Sequence, residues 1–84
     1  MLIDPHQAGR EIRRVRLAAG LTQVQLAERA GRARPHLSAL ERGARVPEIT
    51  TLGEWAAALG HSVLIDARGV HLVPADSIEI TEAE

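Results

Sequence analysis

The chain has 84 residues, with one Trp, no Phe, Tyr or Cys, and ten basic residues that are all Arg. A chain this short buries only about 60–65% of its unfolded surface, which predicts one domain of marginal stability. The absence of Cys excludes a disulfide scaffold, thiolate zinc sites and cysteine nucleophiles. No apolar run approaches the ~18 residues of a membrane span, and Met1-Leu2-Ile3-Asp4-Pro5 lacks the regions of a signal peptide. A cytoplasmic protein is expected.

The formal net charge of −1 hides a division. Residues 1–45 hold nine Arg against Asp4, Glu11, Glu28 and Glu41. Residues 46–84 hold Arg68 against seven acids. Segregation of this kind points to a front half that meets a polyanion and a back half with another task.

Asp4, Pro5 and Gln7 read as an N-cap, a first-turn proline and a capping-box partner. Ala8, Ile12, Val15 and Ala19 follow at helical spacing until Gly20, so a first helix is predicted over about residues 5–19. Thr22 and Gln25 form a second capping box, with Val24, Ala27, Ala30 and Leu26 as the apolar face and Gly31 as the stop. At about eight residues this helix cannot persist alone. A third helix is predicted from Arg34-Pro35 to Gly43, with Leu37 and Leu40 inward. A fourth spans about residues 49–59, with Ile49, Leu52, Trp55, Ala56 and Leu59 on one stripe. Trp55 there reads as an anchor of the core or of a dimer interface.

The period then shortens to about two residues. His61–Ile65 and Val70–Val73 are β-rich and flank Asp66-Ala67-Arg68-Gly69, which predicts a hairpin. Asp first and Gly last suit a type I turn with a glycine bulge. Pairing Val63 and Ile65 with Val70 and Leu72 favours a two-residue loop instead, although Ala67-Arg68 is poor chemistry for positive φ angles. Both registers stay open at this stage. Residues 75–84 read as an acidic, flexible tail in which Ile78 and Ile80 alternate like a short strand.

Two short helices joined at Gly31 within a basic half describe a DNA-binding helix-turn-helix. Residues 21–31, Leu-Thr-Gln-Val-Gln-Leu-Ala-Glu-Arg-Ala-Gly, resemble the opening of the Cro/phage-repressor (XRE) type of this motif. His36-Leu37-Ser38-Ala39-Leu40-Glu41-Arg42-Gly43, followed by Pro47, resembles its recognition helix and exit. Thr51-Leu52 with Ala58-Leu59-Gly60 resembles the next helix. The resemblance covers residues 9–60 and implies a mainly α, lambda-repressor-like bundle of four helices, followed by a C-terminal β-hairpin.

The resemblance also implies roles. Gln23 would hydrogen-bond a backbone phosphate at a helix N-terminus, where free N–H groups and the macrodipole favour an anion. Arg34, Pro35, Ser38 and Ala39 would face the bases. Arg34 is the strongest reader, because its planar fork fits guanine O6 and N7. His36, Arg32, Arg42 and Arg45 would meet the backbone, giving affinity without sequence information. Arg16 and Glu41 would form an interior ion pair. Two positions depart from the pattern: Arg32 replaces an apolar residue, and Ala33 replaces a Ser or Thr cap. Loss of that cap costs about 0.5–2 kcal/mol and predicts a late start or a frayed first turn for the third helix.

Strands after residue 60 resemble the HipB-like antitoxin branch. There a strand pairs with its twin in a homodimer, and the protein also binds a HipA-like kinase toxin. On this reading residues 1–60 are the DNA-binding domain and residues 61–74 a dimerisation element using Val63, Leu64, Ile65, Val70 and Leu72. The implied function is repression at palindromic operators. A regulator without a toxin, or a protein-binding module with DNA contact secondary, are the competing readings. His61, His71 and Asp66 read as solvated strand residues, and no metal, cofactor or catalytic constellation is expected.

Overall fold

A computed structural model describes residues 4–77. Four helices come first, α1 (Pro5–Ala18), α2 (Gln23–Ala30), α3 (Arg34–Arg42) and α4 (Ile49–Ala58). An antiparallel hairpin follows, β1 (His61–Asp66) and β2 (Gly69–Pro74), and then a 3-10 turn at Ala75–Ser77. That turn occupies the start of the segment expected to be a flexible tail; Ile78 and Ile80 lie outside the described residues.

Local chemistry accounts for the helix ends. The Asp4 carboxylate accepts from the His6 N–H at 2.9 Å, and Pro5 fills the first turn without loss of a bond. Thr22 Oγ1 accepts from the Gln25 N–H at 3.1 Å while Gln25 Oε1 accepts from the Thr22 N–H at 2.9 Å, the reciprocal box expected there. Gln7 departs from the expected pattern. Its side chain does not cap α1 but donates to the Arg68 carbonyl at 3.2 Å and accepts from the Val70 N–H at 3.1 Å. The α3 helix begins at Arg34 without a side-chain cap, so the late start expected from Ala33 does not occur.

The core is one cluster: Ala8, Ile12 and Val15 of α1, Leu26 and Ala27 of α2, Leu37 and Leu40 of α3, Leu52, Trp55 and Ala56 of α4, and Val70 and Leu72 of β2. Fully burying each large member contributes about 1.5–3 kcal/mol. Helical periodicity alone misjudges the edges of this set. Val24 is 52% exposed, because α2 turns Leu26 and Ala27 inward, and Ile49 is 46% exposed at the open end of α4. Ala19 is exposed beyond the last turn of α1.

The hairpin adopts the two-residue-loop register, with Val63 opposite Leu72, Ile65 opposite Val70 and Asp66 opposite Gly69. Neither Ala67 nor Arg68 takes a positive φ; Gly69 does, at 116°. The Asp66 carboxylate accepts from the Arg68 N–H at 2.8 Å and stiffens the loop. That bond, together with His71 beside it, holds the Asp66 carboxyl below the usual carboxylate range. The inner face of the sheet lies on the helices. Val70 and Leu72, expected to contact a second chain, are therefore core residues of this one, at 0% and 4% exposure.

Helix α1 clamps the outer edge of β2. Besides the Gln7 bonds, Glu11 Oε1 accepts from the Leu72 N–H at 2.9 Å. Arg14 chelates the same carboxylate and, with the Leu72 N–H, holds Glu11 below its ordinary range against the opposing effect of burial.

Gly9 lets α1 and α3 touch backbone to backbone. A Cβ there would collide with the carbonyl oxygen of Leu40 and lie 3.0 Å from that of Glu41. Gly9→Ala gains about 1 kcal/mol of helix propensity but incurs an overpacking cost of about 1–3 kcal/mol against rigid backbone. Urea unfolding is expected to show a lower midpoint with an unchanged slope. A raised midpoint would mean that the two helices part freely.

Candidate nucleic-acid interface

Helices α2 and α3 meet through the turn Gly31–Ala33, with Gly31 in the left-handed region at φ 65°. Leu26 and Ala27 of the first helix and Leu37 and Leu40 of the second face the shared core, which fixes the opposite face of α3 toward solvent. Arg34, Pro35 and His36 are exposed at the start of that face, and Arg42 and Arg45 are exposed at its end. Ser38 and Ala39 lie between them, half-buried. These sequence-predicted residues thus share one side of one helix and the loop after it. An open groove of about 620 Å³ beside α3 has a mixed lining, with Arg32, Arg42 and Arg45 as its cations, Glu48 as an acid, and apolar residues such as Leu40 and Val46 between them. Arg42 donates to Ser38 Oγ at 3.2 Å, one turn back, and is held against the helix surface.

Arg32 is differently placed. It forms an ion pair with Glu54 of α4, tying the turn to the fourth helix. Its charge is largely met within the protein, so its assignment as a phosphate contact loses support. Glu54 was not singled out in the sequence, since nothing local in α4 marks it as a partner for a residue 22 positions away.

The interior ion pair is present in the form expected. Arg16 Nε donates to Glu41 Oε2 at 2.7 Å and a terminal nitrogen donates to Oε1 at 2.9 Å, with side-chain exposures of 8% and 4%. The remaining terminal nitrogen donates to the Leu21 carbonyl at 2.8 Å. One guanidinium thus holds α1, the entry to α2, and α3 together. Gln23 sits beside the pair: Nε2 donates to Glu41 Oε1 at 3.0 Å, and Oε1 accepts from Arg34 at 3.2 Å.

A helix-turn-helix family model matches residues 12–63, spanning the cluster just described. The chain belongs to the XRE-type helix-turn-helix family. It is 46% identical over 54 residues to an uncharacterized HTH-type transcriptional regulator, y4dJ, of Sinorhizobium fredii, across 64% of this chain and 70% of the relative. It is 44% identical over 55 residues to the immunity repressor protein of Bacillus phage phi105, across 66% of this chain and 38% of that protein. Among the described residues no group of three or more His, Asp or Glu could hold a metal ion, and no helix is long and apolar enough to cross a membrane.

The buried pair yields a stability prediction. Glu41→Leu strands a buried guanidinium and should cost about 3–5 kcal/mol, whereas joining it to Arg16→Met removes the stranded charge. Chemical denaturation should find the double variant more stable than the single one. Simple addition of the two losses would contradict the assigned coupling.

Proposed function

We infer that this helix-turn-helix regulator is a sequence-specific repressor, binding palindromic operators as a homodimer. The observation that carries the DNA reading is the outer face of α3, where Arg34 and Arg42 are exposed on a helix anchored from below, with Arg45 exposed in the loop that follows. Arg34 lies at its N-terminal end, where a recognition helix meets base edges, and offers the bidentate fork that guanine accepts. Arg42 and Arg45 supply phosphate neutralisation, with His36 at the groove edge. Pro35, Ser38 and Ala39 complete the surface presented to the bases, and Gln23 with the first N–H groups of α2 meets a phosphate.

The homodimer reading draws on the sheet edges. The Val70 and Leu72 N–H groups go to Gln7 and Glu11, so their cross-strand pairs with Ile65 and Val63 are the non-hydrogen-bonded ones. Val63 and Ile65 therefore direct their own backbone groups away from β2. The available edge is that of β1, where Leu64 and Ile65 are 45% and 39% exposed. Strand β1 of a second copy, running antiparallel, places Leu64 opposite its twin and Val63 opposite Ile65 of the partner subunit. Two α3 helices then address half-sites about 34 Å apart. Dimerisation thus rests on Val63, Leu64 and Ile65, without Val70 and Leu72. The narrower reading, a HipB-like antitoxin that also binds a HipA-like kinase toxin, is supported by the hairpin after α4; a kinase-like gene beside this one is the observation that bears on it.

Arg34→Ala should abolish base preference at one position of each half-site, while Arg45→Ala weakens all sequences about equally and lowers the salt slope by about one. Fluorescence anisotropy across a salt series measures both. A preference profile that survives Arg34→Ala removes it as the reader.

Because the chain has no Cys, Leu64→Cys introduces a lone thiol. At a non-hydrogen-bonded antiparallel pair the Cα atoms lie about 4.5 Å apart, within disulfide range. Mild oxidation should give a covalent dimer, whereas Val24→Cys, exposed on α2, should not. Equal crosslinking of the two variants would place the interface elsewhere.

A further inference from the structure

Strand β2 carries an imidazole between two carboxylates. Val70 and Leu72 point into the core, so His71 between them lies on the other side of the sheet, opposite Leu64. Its Nε2 is 3.1 Å from Asp66 Oδ1. Charged groups reach this position from each neighbouring element: Asp66 from the end of β1, Arg68 from the loop, and Glu11 with Arg14 from α1. The two acids also fasten the hairpin. Asp66 Oδ1 accepts from the Arg68 N–H at 2.8 Å within the loop, and Glu11 Oε1 accepts from the Leu72 N–H at 2.9 Å, joining β2 to α1. The His71 and Asp66 side chains are 31% and 35% exposed, so their contact is less screened than that of Arg68, 86% exposed and 3.7 Å from the other Asp66 oxygen.

We propose that His71 makes the fastening of the hairpin to α1 pH-dependent, tightening it as the cation between Asp66 and Glu11 and loosening it as the neutral ring. An ionised carboxylate only accepts, so Nε2 donates to Asp66 in both charge states of the ring. Protonation therefore adds charge rather than a bond: the contact becomes charge-assisted, roughly twice as strong, and Glu11 gains a second cation. The sign follows from which group titrates. The Arg68 N–H and then His71 hold Asp66 below the usual carboxylate range, and Arg14, the Leu72 N–H and His71 do the same for Glu11 against burial. Both acids thus stay charged above about pH 5.5. A histidine changes charge between about pH 5 and 8. A cation that gains partners on folding stabilises at the acid end of that range, and the contribution is lost toward the alkaline end. The consequence for assembly rests on the reading of β1 as the homodimer edge, since a loosened hairpin presents that edge less firmly.

Native-state hydrogen exchange on the full chain tests this at Leu72, whose amide has Glu11 as its acceptor. After correction for intrinsic exchange, the opening equilibrium of that amide should rise about two- to fivefold between about pH 5.5 and pH 8, as for a partly exposed ion pair. His71→Gln keeps a neutral N–H donor and should hold the opening near the alkaline wild-type value throughout. Asp66→Asn keeps an acceptor for the Arg68 N–H, removes the charge and should flatten most of the dependence; it decides the matter alone should His71→Gln fail to fold. His36→Gln, exposed on α3, should retain the full dependence. A flat wild-type profile, or an undiminished one in His71→Gln, would overturn the proposal. Sedimentation at the same two pH values separates it from the dimer reading. Self-association should weaken by a similar factor at the alkaline value. A response at Leu72 with self-association unchanged would remove β1 as the dimer edge and leave the pH-dependent fastening standing.

Discussion

The arrangement of the helix-turn-helix depends on one buried guanidinium. Arg16 projects from α1 into a space closed by α2 and α3, where its donors meet both oxygens of Glu41 and the Leu21 carbonyl. Charges are costly to bury, and a well-packed apolar substitute can be as stable or more so. What the pair supplies is geometry. Hydrophobic contacts among Ile12, Leu26, Leu37 and Leu40 tolerate small rotations of one helix on another, whereas a bidentate pair between α1 and α3 does not. Since α2 has only eight residues, its placement is owed to these neighbours rather than to its own helical tendency.

The same accounting refines the meaning of the basic front half. Nine Arg within residues 1–45 suggest a broad cationic surface, but several of them are already answered inside the protein. Arg16 is buried, Arg14 chelates Glu11, and Arg32 is paired with Glu54. Arg34, Arg42 and Arg45 stand exposed around α3. The acids of the back half are likewise not all idle. Glu54 anchors the turn between α2 and α3, and Asp66 shapes its own hairpin loop. Net charge by segment points to the front half of the molecule; there Arg34, Arg42 and Arg45 are exposed around α3, and Arg10, Arg13 and Arg29 are exposed on α1 and α2.

What could be read from the sequence was what is decided locally. Asp4 with Pro5, and Thr22 with Gln25, carry their bonding partners within three residues, so the starts of α1 and α2 were legible. The positions of Val24 and Ile49 were not, because burial there depends on how far each helix is rotated against the others. Ala33 lacks a capping side chain, yet α3 starts at Arg34 because packing of Leu37 and Leu40 holds its first turns in place. Gln7 illustrates the limit most clearly. Its spacing from Asp4 suited a local cap, while its actual partners are 61 and 63 residues away in the hairpin. That long-range clamp, with Glu11, also fits the hairpin register that the sequence left open, and it accounts for Val70 and Leu72 belonging to the core. At the candidate site, the resemblance to the phage-repressor motif implied a common outward side for Arg34, Pro35, Ser38 and Ala39, and these residues are exposed or half-buried while Leu37 and Leu40 face the core. The link from Glu41 through Gln23 to Arg34 was not legible, since it joins three residues that no periodicity relates.

The central claim is that the outer side of α3 is the surface that meets a duplex. Amide chemical-shift mapping of the isotopically labelled chain, titrated with duplex DNA at low salt, tests it most directly. The account predicts shifts concentrated at Gln23 and Val24, along Arg34–Ala39 and at Arg42–Arg45, reversed by added salt, with the outer face of the hairpin unaffected. Shifts confined to the hairpin, or none at any duplex concentration, would contradict it.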